Sequence, residues 1–469
     1  MKLHSNSRTR GRLCLRPLAA CLAVTLSSGA SATGQNAYGE AMVTAIRSNH
    51  VAHFAHPSTV TSSVTHLVTT CDDPSPVPST CAGSTSGTLR KGFLCGQNGD
   101  AIDLTQLQCS KITLSAPLVS GQVTLTLVGP GADKLTIDAA SQSRAIVHKG
   151  GLNDLLYVKN LSIANGRYDN PSDSGYGGCI YSSGNVTLFN STVSSCYASA
   201  PAGLATGGAI FAKGNASLNH ATVSGGTASG AAAAGGGIYA GGTVELNRST
   251  VSGSMAKSDG VASAGGIYAS AVYVTYSTIS GNAADAGGGI FAGHVYVFDS
   301  TIAGNHADFG SFGGIYARDT AEIFNSTISG NSNSGDVAGG LFVQNASALS
   351  TDVRNTIIAN NKAGGVELDV GTGAGVTISG DNNIIMAHQA GTTVPAGTIA
   401  DDPMLGPLQD NGGETRTLAL KPGSPAIDKG GTTQFSFDQR DSPRIVGSKT
   451  DIGAFEFDPE HIFANGFNL

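Results

Sequence analysis

Four aspartates recur at one place in this 469-residue chain: Asp259, Asp285, Asp308 and Asp336 each precede a glycine pair by three to six residues. If those pairs mark a stacked repeat, the carboxylates share one edge, roughly 5–10 Å apart at strand spacing. A glycoside hydrolase needs two carboxyl groups about 5–9.5 Å apart. A uronan lyase would instead use such carboxylates to hold calcium beside an Arg or Lys base. Arg318 is the nearest basic residue carried by the repeat. Asp308 and Arg318 are therefore the lyase candidates, and Asp285, Asp308 and Asp336 a candidate weak calcium edge, with no other cofactor expected. The ordinary role of such aspartates is to solvate turns and cap free N–H groups. The column is also missing from the alanine-rich stretches at 202–207 and 230–235, which argues against one extended groove. His294 and His306 have no carboxylate or cysteine repeating with them and are expected to face solvent. No Gly-x-Ser-x-Gly elbow, phosphate loop or dinucleotide fingerprint occurs.

The elements that would position these residues come from internal repetition. A Gly-Gly-small-aliphatic-aromatic phrase appears at Gly177 to Tyr181, Gly207 to Phe211 and Gly235 to Tyr239. It returns at Gly265 to Tyr268, Gly288 to Phe291, Gly313 to Tyr316, Gly339 to Phe342 and, degenerate, at Gly364 to Glu367. A second phrase follows most copies, as in Ser249-Thr250-Val251, Ser277-Thr278-Ile279 and Ser326-Thr327-Ile328. Between them lie alternating stretches such as Val244-Glu245-Leu246, Val272-Tyr273-Val274 and Val295-Tyr296-Val297, whose period of two is that of a strand. Three short strands and three turns per repeat describe one coil of a parallel β-solenoid, with Val, Ile and Leu inward and Glu245, Tyr273 and Tyr296 outward. Asn282, Asn305, Asn331 and Asn360 each fall four residues after the repeat threonine and are read as a ladder of stacked turn amides. The aromatics Tyr239, Tyr268, Phe291 and Tyr316 form a further column, read as a stacking ladder in preference to a sugar-binding strip.

The first 32 residues, five of them basic, hold an apolar run from Leu18 to Leu26 and a small-residue stretch ending at Ala32. They are expected to be a signal peptide cleaved near Ala32. The remainder carries 21 basic and 33 acidic residues, unlike a nucleic-acid binder, and no apolar run reaches the ~18 residues of a membrane span. Six cysteines remain: Cys71, Cys81, Cys95, Cys109, Cys179 and Cys196. An even number in an exported chain predicts up to three disulfides. Proximity favours 71–81, 95–109 and 179–196, with buried free thiols an open alternative for the last pair.

Before the coils, residues 33–110 read as an N-terminal segment, partly disordered, with a cap helical near Leu89 to Leu94. Coils are expected over 111–385. Beyond them come Asp402-Pro403-Met404-Leu405-Gly406-Pro407-Leu408, Asp410-Asn411-Gly412-Gly413-Glu414-Thr415, Gly423-Ser424-Pro425-Ala426-Ile427-Asp428, Asp438-Gln439-Arg440 and Asp451-Ile452-Gly453-Ala454-Phe455-Glu456. With the coil phrases, these resemble the choice-of-anchor Q family of bacterial surface proteins over roughly residues 66 to 457. The resemblance implies a right-handed, pectate-lyase-like parallel β-helix, export, a C-terminal cap over 386–457 and a variable attachment signal, here the tail 458–469. It implies no established activity. One departure is Arg440-Asp441, where the family usually has glycine after the arginine. Arg440, Arg444, Asp438 and Asp451 are expected to form ion pairs closing the cap. The coils are also similar to repeats of polymorphic outer-membrane autotransporters, but about 100 residues after Gly365 are too few for a membrane barrel. The expected role is an exported surface or extracellular scaffold for adhesion or glycan contact, with cell-surface glycans or other surface proteins as partners. The alternative is a polysaccharide lyase or glycoside hydrolase on the same fold.

Overall fold

The computed structural model describes residues 64–73, 81, 87–121, 123–258, 262–308, 312–345 and 351–460. The chain divides into residues 1–56 and 57–469, and all described residues belong to the second unit. The signal segment 1–32, Asp259 and the tail beyond 460 lie outside the described residues.

One coil shows how the pattern folds. Strand Ile290–Phe298 is followed by Thr301–Ala303 and then His306–Ala307, each joining a different sheet. The aliphatic positions Ile290, Val295, Val297 and Ile302 are all fully buried, so alternation alone sends one side of each strand into the core. Stacking such coils gives a right-handed parallel β-helix of about ten turns. Among the described residues it has a long sheet of 19 strands, a threonine-bearing second sheet of 11 and an alanine-bearing third sheet of 11. Pairing from coil to coil is parallel and in register: Ile267, Ile290 and Ile315 stack in one inward column.

The glycine pairs sit where the third sheet turns into the long sheet. Gly235 holds φ +62, and a Cβ on Gly236 would lie 2.3 Å from the backbone of Met255, so only glycine lets the chain close this corner. The stretches 202–207 and 230–235 are largely strand rather than loop. Tyr197–Thr206 and Thr227–Ala234 pair along their length and bury a separate cluster made entirely of alanine, including Ala200, Ala205, Ala228 and Ala233. Small side chains let two backbones approach there without aliphatic filling.

Two buried ladders hold the coils together. Asn282, Asn305 and Asn331 have no exposed surface. Each donates its side-chain amide to the next at 2.9 Å, and each backbone N–H reaches the same oxygen at 3.0 Å. The fourth rung is Asn361, not Asn360. Ile357 pairs with Thr327, whereas Thr356 stacks on Ser326, so counting from Thr356 runs one residue short. Asn360 instead takes φ +61 in the adjoining turn. The ladder ends on Asp369, whose Oδ1 accepts both N–H groups of Asn361 at 2.9 Å while Oδ2 accepts from the Ala387 N–H. Burial pushes Asp369 up to about 6, these bonds opposing the shift. A parallel run of hydroxyls, Ser249, Ser277, Ser300, Ser326 and Thr356, accepts from the backbone of the preceding coil in the same way.

Helix Leu89–Cys95 covers the first coil, N-capped by the Thr88 hydroxyl, with Leu89 and Phe93 in the core. Cys71 pairs with Cys109 and Cys81 with Cys95, correcting the pairing expected from proximity. The reason is topological: Thr65–Leu67 pairs with Asp100–Asp103, which brings the regions around residues 70 and 109 together across the cap. Cys179 and Cys196 are bonded across one coil, not free.

At the other end the chain past 386 adds bridges to the last coils, Val370 with His388 and Ile384 with Ile399. It then runs back along the outside of the second sheet as a strap. Thr278 Oγ1 donates to the Arg416 carbonyl at 2.6 Å, Thr301 Oγ1 to Gln439 Oε1 at 2.6 Å, and Thr327 Oγ1 accepts from Ala454 N–H at 3.0 Å. Farther along, Glu414 pairs with His220 and Asp441 with Arg248. Asp441 holds φ +65, the left-handed form a glycine would take there. Of the four charges expected to close the cap, Arg440 and Asp438 pair at 2.7 Å. Arg444 turns instead to Asp299 of the coils at 3.4 Å, and Asp451 accepts backbone N–H groups of Asp428 and Phe457.

Candidate functional site

The expected aspartate edge disperses into turn contacts. Asp285 accepts from the Ser258 N–H at 3.2 Å and its hydroxyl at 2.9 Å. Asp308 pairs with His306 at 3.1 Å, and Asp336 stands exposed in its own loop. Among the described residues no group of three or more His, Cys, Asp or Glu side chains is arranged to hold a metal ion. Nor do Asp308 and Arg318 meet: Asp308 follows a third-sheet strand, whereas Arg318 lies in the middle of long-sheet strand Ile315–Phe324 and pairs with Asp319 at 3.0 Å.

The chemistry concentrates on the outer face of the long sheet. Its first column is aromatic: Tyr181, Phe211, Tyr239, Tyr268, Phe291, Tyr316 and Phe342 follow one another coil by coil. From Phe211 to Phe291 the rings are 5.2–5.3 Å apart and within 11° of parallel. Ring faces are thus used within the ladder, and edges and tyrosine hydroxyls turn outward. Beside it, Tyr239, Gly241, Tyr268, Ser270, Phe291, Gly293 and Arg318 line a groove of about 210 Å³. A β-bulge makes it: register shifts between Ala292 and His294, so Gly293 faces two residues, Arg318 and Asp319, of the next strand. The Arg318 guanidinium lies over Gly293, where a Cβ would come within 3.1 Å of its Nη2. A larger trough, about 360 Å³, between Ser280, Ala303, Ser329 and strap residues Leu408 and Leu418 carries no ionisable side chain.

Across the bulge the same face holds a column absent from the aspartate reading: Glu245, Tyr273, Tyr296, Glu322 and Asp352, one per coil in strict register. Tyr273 and Tyr296 stack at 4.5 Å with their hydroxyls bonded, and burial raises both phenols. Glu322 is only 7% exposed. Burial, then the neighbouring Asp352 charge, pushes it up to about 7, Arg354 opposing, and no hydrogen bond to its carboxyl contributes. Asp352 is bound by Arg354, whose Nε lies 3.0 and 2.9 Å from the two carboxylate oxygens. His294 is half-buried on this face between groove and column, with its Nδ1 buried and unbonded. Glu322, Asp352, Arg354 and Asp319 were not among the expected site residues. For Glu322 and Asp352 the signal was present in the alternation, because both occupy outward positions, but their column changes residue type at nearly every coil and so leaves no repeated letter; Asp319 lies in the bulge, where alternation is broken.

Fold and face together define a right-handed parallel β-helix with a polar, partly aromatic outer face on its 19-stranded sheet. No protein-family model and no curated protein matches the sequence. Among solved structures, one described as a pectate lyase, Pel9A, is similar over 86% of this chain and 98% of its own, at 12% identity and a TM-score of 0.44. That likeness is one of coil architecture and says nothing of activity. Three disulfides suit an oxidising compartment, and among the described residues no helix is long and apolar enough to cross a membrane.

Proposed function

We propose that this protein is an exported, surface or extracellular β-helix that engages a neutral polysaccharide along the outer face of its long sheet. The observation that carries this reading is the continuity of the groove at Tyr239, Tyr268, Phe291 and Arg318 with the outward column from Glu245 to Asp352. Successive coils repeat at ~4.8 Å, close to the length of one pyranose unit, so a chain laid along the helix axis meets equivalent positions at each sugar. Tyrosine hydroxyls, Ser270 and the carboxylates supply donors and acceptors for sugar hydroxyls. Charge selects a neutral polymer: Arg318 is engaged by Asp319 and Arg354 by Asp352, so neither guanidinium is free to pair with a uronate. The disulfides and the leader-like N-terminus support an exported location.

The test is affinity electrophoresis of the purified protein through gels containing mannan, xylan, arabinogalactan or polygalacturonate. Retardation by at least one neutral polymer, weakened in Tyr268→Ala and Arg318→Ala, is expected. Migration unchanged by every neutral polymer would refute the reading.

A further inference from the structure

We propose that Glu322 and Asp352 form a hydrolytic pair that cleaves a glycosidic bond of the bound polysaccharide with retention of anomeric configuration. The inference rests on the glycan-engaging reading above and adds a reaction to it.

Geometry comes first. The two residues are direct partners on adjacent parallel strands, both on the outward side. Strand spacing sets their backbones ~4.8 Å apart, so the two side chains leave one face side by side, the close-set arrangement from which a retaining pair reaches its ~5–5.5 Å carboxyl separation. Their surroundings then divide the roles. Glu322 is more than nine-tenths buried, accepts no hydrogen bond from any described residue and stands between Tyr296 on the preceding strand and Asp352 on the next. Such a carboxyl keeps its proton near neutrality, as a general acid must. Asp352 faces a guanidinium that orients both of its oxygens, as an attacking carboxylate requires.

The step balances without a metal or redox partner. Glu322 gives its proton to the glycosidic oxygen as that oxygen leaves the anomeric carbon, and an Asp352 oxygen forms the new bond to that carbon. Water then attacks the same carbon, the bond to Asp352 breaks, and Glu322 recovers the water's proton. The leaving sugar carries the first proton away as its hydroxyl, and one water is consumed for each bond cleaved.

The experiment incubates the full chain with the neutral polymers named above, with polygalacturonate as comparison. It follows reducing ends, and proton NMR reads the anomer formed first. Expected are reducing ends from the polymer that retards the protein, with retained configuration, and a rate that falls as pH rises through about 7. The charged and titratable groups around Glu322 are Asp352, Arg354, Tyr296 and Tyr273. Glu322→Gln and Asp352→Asn should each lose roughly 10²–10⁴-fold in rate while still being retarded by the same polymer. Far-ultraviolet circular dichroism unchanged from the parent and, for Glu322→Gln, unchanged thermal unfolding at pH 4 control for misfolding. Binding without any release of reducing ends, an inverted product, or full activity in Glu322→Gln overturns the hydrolytic pair and leaves the binding reading standing. Failure to bind any neutral polymer overturns both.

Discussion

Replacing Asn361 by alanine should cost this protein several times more stability than replacing its neighbour Asn360. Asn361 is fully buried. Its side-chain oxygen accepts the Asn331 backbone N–H at 3.0 Å and the Asn331 amide at 2.9 Å. Its own amide donates to the Ile328 carbonyl at 3.0 Å and to Asp369 at 2.9 Å. Truncation strands two backbone groups and weakens two side-chain partners in a site closed to solvent. At about 1–3 kcal/mol for each group left without a partner, the loss is roughly 4 kcal/mol. Asn360 is half-buried, and its distinction is φ +61. Alanine in that conformation costs about 1–2 kcal/mol and strands no rung of the ladder. Urea unfolding followed by far-ultraviolet circular dichroism measures both, provided the slope with denaturant stays constant across the variants. Equal losses, or a larger one at Asn360, would refute the assigned register and the claim that the amide column binds coil to coil.

Further outcomes are expected elsewhere in the molecule. Peptide mapping without reductant should recover Cys71 joined to Cys109 and Cys81 to Cys95, and a 71–81 peptide would contradict the cap topology. Glu322 is raised from 4.5 to about 7, so the folded state holds its proton more tightly and the stability linked to it is lost as pH rises from about 4.5 to 7. Glu322→Gln should therefore match the parent in thermal unfolding at pH 4 and exceed it at pH 8, by up to about 3 kcal/mol. Equal stability at pH 8 would show that the carboxyl is well solvated. Gln439→Ala removes bonds to Thr301, Thr278 and Thr415 in a buried site and should speed proteolysis between residues 401 and 457 while the coils stay protected. Cleavage of coils and strap at the same rate would argue that they open together.

The coils were legible because their cause is repeated. The same glycine corner and the same aliphatic columns recur, so each copy supports the others, and the helix near Leu89 and the outward turn of Glu245, Tyr273 and Tyr296 were legible with them. Asn360 was placed one residue off because Asn360 and Asn361 are adjacent in sequence and only hydrogen-bond register separates them. Nearness along the chain gave Cys179–Cys196 but failed for the other four cysteines, because strand pairing folds residue 71 onto residue 109. The column from Glu322 to Asp352 stayed hidden for the opposite reason to the coils: stacking brings unlike residues together, and no letter repeats. The aspartates ahead of the glycines did repeat, but Asp285 turns to Ser258 of the preceding coil, Asp308 to His306 and Asp336 to solvent, so the repeated letter brings no shared site together.

The strap has a bearing on how the chain reaches its final form. Ladder bonds between neighbouring coils join residues 23 to 30 apart, whereas strap bonds join residues 76 to 194 apart. Coils can accumulate one upon another as the chain emerges, each closing a short loop, but the strap has nothing to grip until the row of Thr278, Thr301 and Thr327 is complete. A chain shortened by one coil would present a row of the wrong length, and its C-terminal segment is expected to dock poorly and to be cut faster by proteases than that of the full chain.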